Sequence, residues 1–232
     1  MSSQKRFARG SKSYKRSPPR APLSGTSFLI VTEGEKTEPN YLNSLRNRLQ
    51  LSVADVEIVH PEGTDPITLT LRAIELRDQR KERARKGGAV EYDEVWVVFD
   101  MEKTHDERRK LAHEAKQLRG VEKIQFAISD PSFEYWLLLH WEYTTAPFRD
   151  CTSVIKKLKK YWPNYSKGIS PTCSLVEKML VAARHSQQCR KHHESAKSHN
   201  PQTNVDILAL KMNAATRPHL QISPTPQPIP AK

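Results

Sequence analysis

Two apolar runs that stop abruptly at acids limit the folds open to this chain: Phe28 to Glu38 reads FLIVTEGEKTE, and Glu94 to Glu102 reads EVWVVFDME. Each is short, apolar and rich in β-branched or aromatic residues, so each reads as a buried strand that delivers carboxylates to the rim of a sheet. Residues 95–99 are apolar on both faces, which makes that strand central and parallel. Acids gathered at strand ends are well placed to hold Mg²⁺ or Mn²⁺.

Strand and helix signals alternate around these runs. Residues 27–31 form the first strand, and a helix opens near Thr37, with Thr37 as its cap, Pro39 in its first turn and Tyr41, Leu42, Leu45 and Leu49 on one apolar face. Residues 53–60 alternate as a second strand, 67–86 form a charged helix ending at Gly87-Gly88, 106–119 another helix and 123–128 another strand. Residues 133–140, FEYWLLLH, are a dense apolar helix capped by Asp130 or Ser132, and it has to be buried. Helices are expected over 152–166, 174–199 and 200–211, the last one capped. The expected fold class is α/β, with a mostly parallel sheet flanked by helices and a helical C-terminal part. Four segments follow: a disordered basic arm at 1–25, an α/β domain at 26–145, a helical extension at 146–213 and a Pro-rich flexible tail at 214–232.

The formal net charge of +12 points to polyanionic partners, nucleic acid first. Seven of the positive charges lie in the first twenty residues with no acid among them, so +5 belongs to the rest of the chain. No stretch approaches the roughly 18 apolar residues that cross a bilayer, and no apolar h-region follows the N-terminal charges, so a cytoplasmic protein is expected. Three widely spaced cysteines, Cys151, Cys173 and Cys189, make no disulfide framework. Cys189 with His185, His192 and His193 has the helical spacing a metal site requires, but one cysteine without a C-x-x-C pair favours a solvated basic helix.

Among residues that can carry chemistry, Glu33 comes first, because Gly34 lets the chain turn tightly and present the carboxylate. Asp100 and Glu102 are two apart and project to the same side of an extended segment. If the two strands are neighbours, Glu33, Asp100 and Glu102 form a cluster suited to a hard divalent cation and to phosphodiester chemistry. Asp106 or Glu107 offers a replacement ligand, with helix capping as the other role for Asp106. Glu134, inside an apolar helix, is either functional or paired with Lys36 or an arginine. Lys36 is placed to contact a phosphate or to stay solvated beside Glu38, and His140 to shuttle a proton or to bond the carbonyls at its helix end. Lys156, Lys157, Lys159 and Lys160 precede Tyr161, Trp162 and Tyr165, an interleaving that can track a nucleic-acid strand or simply pack as an amphipathic segment.

Four motifs, VTEGEKTEPNY from Val31, YDEVWVVFD from Tyr92, DPSFEYWLLLH from Asp130 and NPQTNV from Asn200, resemble in that order those of the RloB-like family, over residues 26–213. The resemblance implies a Toprim-like, Rossmann-like fold related to nucleases of overcoming-lysogenization-defect and phage-triggered immunity systems. It also implies a place in restriction-modification and abortive-infection loci and an ATPase partner. The Toprim glutamate before glycine maps to Glu33, and the Asp-x-Asp pair to Asp100 and position 102. This sequence departs there: the second acid is Glu102, whose extra methylene carries its carboxylate about 1.5 Å farther. Glu134 matches the Phe-Glu of the third motif as a further ligand or a group that orients one. The expected function is a Mg²⁺-dependent nuclease acting on RNA such as tRNA rather than on DNA. The alternative is a non-catalytic, nucleic-acid-binding or regulatory subunit of an ATPase defence complex.

Overall fold

In the computed structural model, residues 25–101 and 105–223 are described. Strand β1 (Phe28–Thr32) leads into helix α1 (Thr37–Arg48), β2 (Val56–Val59), α2 (Pro66–Arg85), β3 (Glu94–Asp100), α3 (His105–Ala115) and β4 (Ile124–Asp130). Helices α4 (Phe133–Leu138), α5 (Cys151–Leu158), α6 (Cys173–Val176) and α7 (Met179–Ala196) follow, then β5 (Gln202–Thr203) and α8 (Val205–Ala215). The sheet order is β2-β1-β3-β4-β5, parallel throughout except for the antiparallel β4–β5 pair. This is the expected mixed α/β fold, a mostly parallel sheet between helices. Among the described residues no helix is long and apolar enough to cross a membrane.

The apolar runs alternate between two cores with the period of a strand. Phe28, Ile30, Trp96, Val98 and Ala127 face one side, with α1, α4, α5, α7 and α8 packed over them. Leu29, Val31, Val95, Val97 and Phe99 face the other, under Leu69 and Ala73 of α2 and Ala112 of α3. Burying each large apolar side chain in this way stabilises the fold by roughly 1.5–3 kcal/mol, which is why β1 and β3 hold no polar residue at their centres. The larger core continues into the C-terminal helices as far as Ile222.

Element boundaries shift for local reasons. Strand β2 starts at Val56 rather than Val53, because residues 52–55 turn and the Ser52 hydroxyl accepts from the Asp55 amide. Thr37 is the first residue of α1, not its cap, and no side chain caps that helix. Helix α2 gains a cap the sequence analysis passed over: Asp65 accepts from the amides of Ile67 and Thr68, both at 3.0 Å. Strand β4 runs two residues farther than expected, so Asp130 belongs to the strand, and Ser132 stands at the start of α4 without bonding it. Helix α5 stops at Leu158, well short of residue 166, since Pro163 cannot continue a helix. The expected helix over 174–199 is two, broken at Glu177-Lys178, and Cys189 and His193 of α7 are buried rather than solvated.

The largest departure concerns residues 200–204, expected as a helix start but containing strand β5 at Gln202–Thr203, with the helix opening only at Val205. Gln202 and Thr203 pair with Asp130 and Ser129. Asn204 prolongs the pairing with its side chain: its Oδ1 accepts from the Ile128 amide at 2.6 Å and its Nδ2 donates to the Phe126 carbonyl at 2.8 Å. The carboxamide thus does for the β4 edge what a peptide group of a longer strand would do.

Candidate active site at the sheet's carboxyl edge

Connections from β1 run outward to β2 on one side, while β3 and β4 lie on the other, so the chain changes direction between β1 and β3. In open α/β sheets this is where a crevice forms beyond the strand ends. Thr32 is in register with Val98, and the Glu33 amide donates to the Val98 carbonyl at 2.9 Å. Glu33 therefore leaves β1 beside the end of β3, and its carboxylate accepts from the Asp100 amide at 2.9 Å. Arg108, on the first turns of α3, donates from Nη2 to the same Glu33 oxygen and from Nε to the Asp100 carbonyl.

A cleft of about 370 Å³ opens here, lined by Glu33, Lys36, Glu38, Asp100, Glu134 and Lys167, among others. It brings together three of the four acids singled out from the sequence. The fourth, Glu102, lies outside the described residues. Asp100 is half-buried, and its Oδ1 is shielded from solvent with no hydrogen-bond partner among the described residues. Burial raises the Asp100 pKa well above the usual carboxylate range, and the neighbouring charges of Glu38, Glu134 and Glu33 push it the same way. Glu134 is buried and accepts from the Tyr165 hydroxyl at 3.0 Å and the Cys151 thiol at 3.2 Å, so its hydrogen-bonding partners are neutral groups and not the Lys36 or arginine expected.

Glu38 is the residue the sequence analysis missed. It is buried in the first turn of α1, reaches back to the Gly34 amide at 3.2 Å, and burial together with the Glu134 and Glu33 charges lifts its pKa to about 7. A β-carbon at position 34 would lie 2.1 Å from a Glu38 oxygen. Glycine is needed there to make room for a second carboxylate, more than for a turn. The one signal in the sequence was an acid next to the helix start, which reads equally well as ordinary dipole compensation.

The other candidates separate. Lys36 lines the cleft, with its aliphatic stem packed close to Gly168. Lys157 is engaged by Glu142 at 2.6 Å and Thr144 at 3.2 Å, while Lys156, Lys159 and Lys160 are exposed, and none of the four lines the cleft. Asp106 and Glu107 are exposed in the first turn of α3. His140 is buried, with Nδ1 directed at the Trp136 carbonyl and Nε2 accepting from Tyr41 at 3.1 Å, and desolvation lowers its pKa to about 4. It is a structural group at a helix end. Cys189 and His185 are bonded to Tyr135 and the Leu139 carbonyl, and His193 to Ser198.

In kind, the cleft's donors fit a hard divalent cation: carboxylate oxygens, one of them buried and without a partner among the described residues, beside a glycine that leaves room for Glu38. Among the described residues, no three His, Cys, Asp or Glu side chains stand in ligand geometry. No curated protein and no solved structure matches this chain. The family model for the RloB-like protein matches residues 28–212, and with four fifths of its length so matched, the chain belongs to the RloB-like family.

Proposed function

We propose that the chain is a Mg²⁺- or Mn²⁺-dependent nuclease with a Toprim-like site, hydrolysing phosphodiesters at the cleft between β1 and β3. One observation carries the reading: a buried Asp100 oxygen with no partner among the described residues, amid carboxylates that repel one another, an arrangement that a bound cation would relieve. Asp100 and Glu33 would hold the ion, with Glu102 completing the set from the adjoining segment. The bound ion would supply Lewis-acid stabilisation of charge developing on the phosphate. Glu33 would orient water or accept its proton, and Lys36 and Lys167 on the rim would draw the phosphate into the cleft. RNA such as tRNA as substrate, a role in anti-phage defence and an ATPase partner rest on the family resemblance. A cytoplasmic location is part of the same reading.

A second reading has its own support. Arg108 already neutralises Glu33, as in a non-catalytic regulatory subunit that has kept the fold without the ion. Labelled RNA and DNA incubated with purified protein and Mg²⁺ or Mn²⁺, with and without a candidate partner ATPase, decide between them. Cleavage lost in Glu33→Gln and Asp100→Asn supports the nuclease, and intact substrates under all conditions overturn it.

A further inference from the structure

A second cavity, of about 450 Å³, opens at the same edge of the sheet on the far side of β3, between α3, β4 and β5. Asp100 is in register with Ser129; Asp100 lines the acidic cleft, and the next residues along the two strands, Met101 and Asp130, line this cavity. Arg109, Ala112 and His113 of α3 line it, with Lys116 just past the helix end. Their spacing puts the first three on one helix face. Arg108 and Arg109 thus divide between the two sites: the first grips Glu33, the second stands over the cavity.

The lining has two chemistries. Met101, Ala112 and Ile128 make an apolar floor, and Gln202 and Asn204 stand at the β5 end with amide side chains. Arg190 is already neutralised by a two-pronged pair with buried Asp206, which makes it part of the wall rather than a source of charge. Arg109 is different: its side chain is 42% exposed and its contact with Asp130 is long, at 3.5 Å. Lys116 lies over the Phe126 ring at 5.7 Å with its ammonium exposed. Two exposed cations, one of them only loosely held by the buried Asp130 carboxylate, and an exposed imidazole over an apolar floor match a phosphate joined to a flat, partly apolar ring system.

We propose that this cavity is a nucleotide subsite that takes a nucleoside monophosphate unit, its phosphate held by Arg109, His113 and Lys116 and its base laid on Met101, Ala112 and Ile128. Its use, seating the nucleotide that neighbours the scissile bond, rests on the nuclease reading, but its occupancy does not. The test is calorimetric titration of the four common nucleoside 5′-monophosphates into the full chain without metal, alongside inorganic phosphate and adenosine as separate arms. At least one monophosphate is expected to bind with a dissociation constant near or below about 1 mM, with phosphate and nucleoside each about tenfold weaker. Arg109→Ala and Lys116→Ala are each expected to weaken it about five- to tenfold, with Lys81→Ala on α2 unchanged and all melting temperatures similar. No monophosphate binding, phosphate binding as tightly as nucleotide, or indifference to both substitutions overturns the proposal. Nucleotide binding without cleavage of RNA or DNA keeps the subsite and removes the nuclease. Cleavage without nucleotide binding does the reverse.

Discussion

Arg108 and Glu33 form an ion pair across the end of the sheet, their side chains only 13% and 15% exposed, and the arginine sits where positive charge is most needed among the cleft's acids. Removing it strips a nearly buried carboxylate of its guanidinium partner. Arg108→Ala is expected to lower unfolding free energy by about 2 kcal/mol in metal-free buffer, read from urea melts. Millimolar Mg²⁺ or Mn²⁺ should restore more stability to this variant than to the parent, and equal shifts in both would detach the pair from any cation site.

Asp100 is held among like charges at a cost to the fold. A carboxyl whose pKa is raised on folding costs stability above its unfolded pKa, so Asp100→Asn should melt at a higher temperature than the parent at neutral pH without metal, while losing cleavage. A lower melting temperature would show that the Asp100 carboxyl is a net stabiliser of the fold and overturn this account.

Gly34→Ala should displace Glu38, because the added carbon would meet its oxygen. A loss of about 1–3 kcal/mol is expected. Pairing it with Glu38→Ala should recover most of that loss, since the smaller side chain vacates the space. Additive losses in the double-mutant cycle would place the strain in the backbone instead.

His140 sets an acid limit on stability. Its pKa of about 4 in the folded chain lies below that of an exposed histidine, so the unfolded chain takes up a proton first as pH falls. Stability from this group is whole above about pH 6.5 and drains away between there and about pH 4, by about 3 kcal/mol in all. Denaturant melts of the parent and His140→Gln across that range test it: the parent should show the steeper decline, and parallel curves would mean that the ring is already charged.

How legible this was in the sequence depended on how local each cause is. Residues 95–99 are apolar on both faces, and a buried parallel strand is nearly the only element that accommodates this, so β3 and the acid at its end could be read directly. Its neighbour relation with β1, on which the meeting of Glu33 and Asp100 depends, stood in the sequence only as a condition, since nothing local fixes strand order, and the pairing is observed. Glu38 was hidden because its burial depends on a close approach to Gly34, which leaves no periodic trace. Arg108 was one basic residue in a run of them, and only the docking of α3 selects it. Strand β5 escaped because two residues carry no alternation, and their partners lie more than seventy positions away.

That distance has a consequence for the order of assembly. The carboxyl edge of β4, which supplies Asp130 to the second cavity, gains its outer partner from Gln202 and Thr203 and its last bonds from Asn204. Contacts so remote in sequence close late. A ribosome-bound chain holds β1, β3 and Glu33, Glu38, Asp100 and Glu134, and then Tyr165 and Lys167, before it can finish that wall, so the second cavity is the later of the two to close.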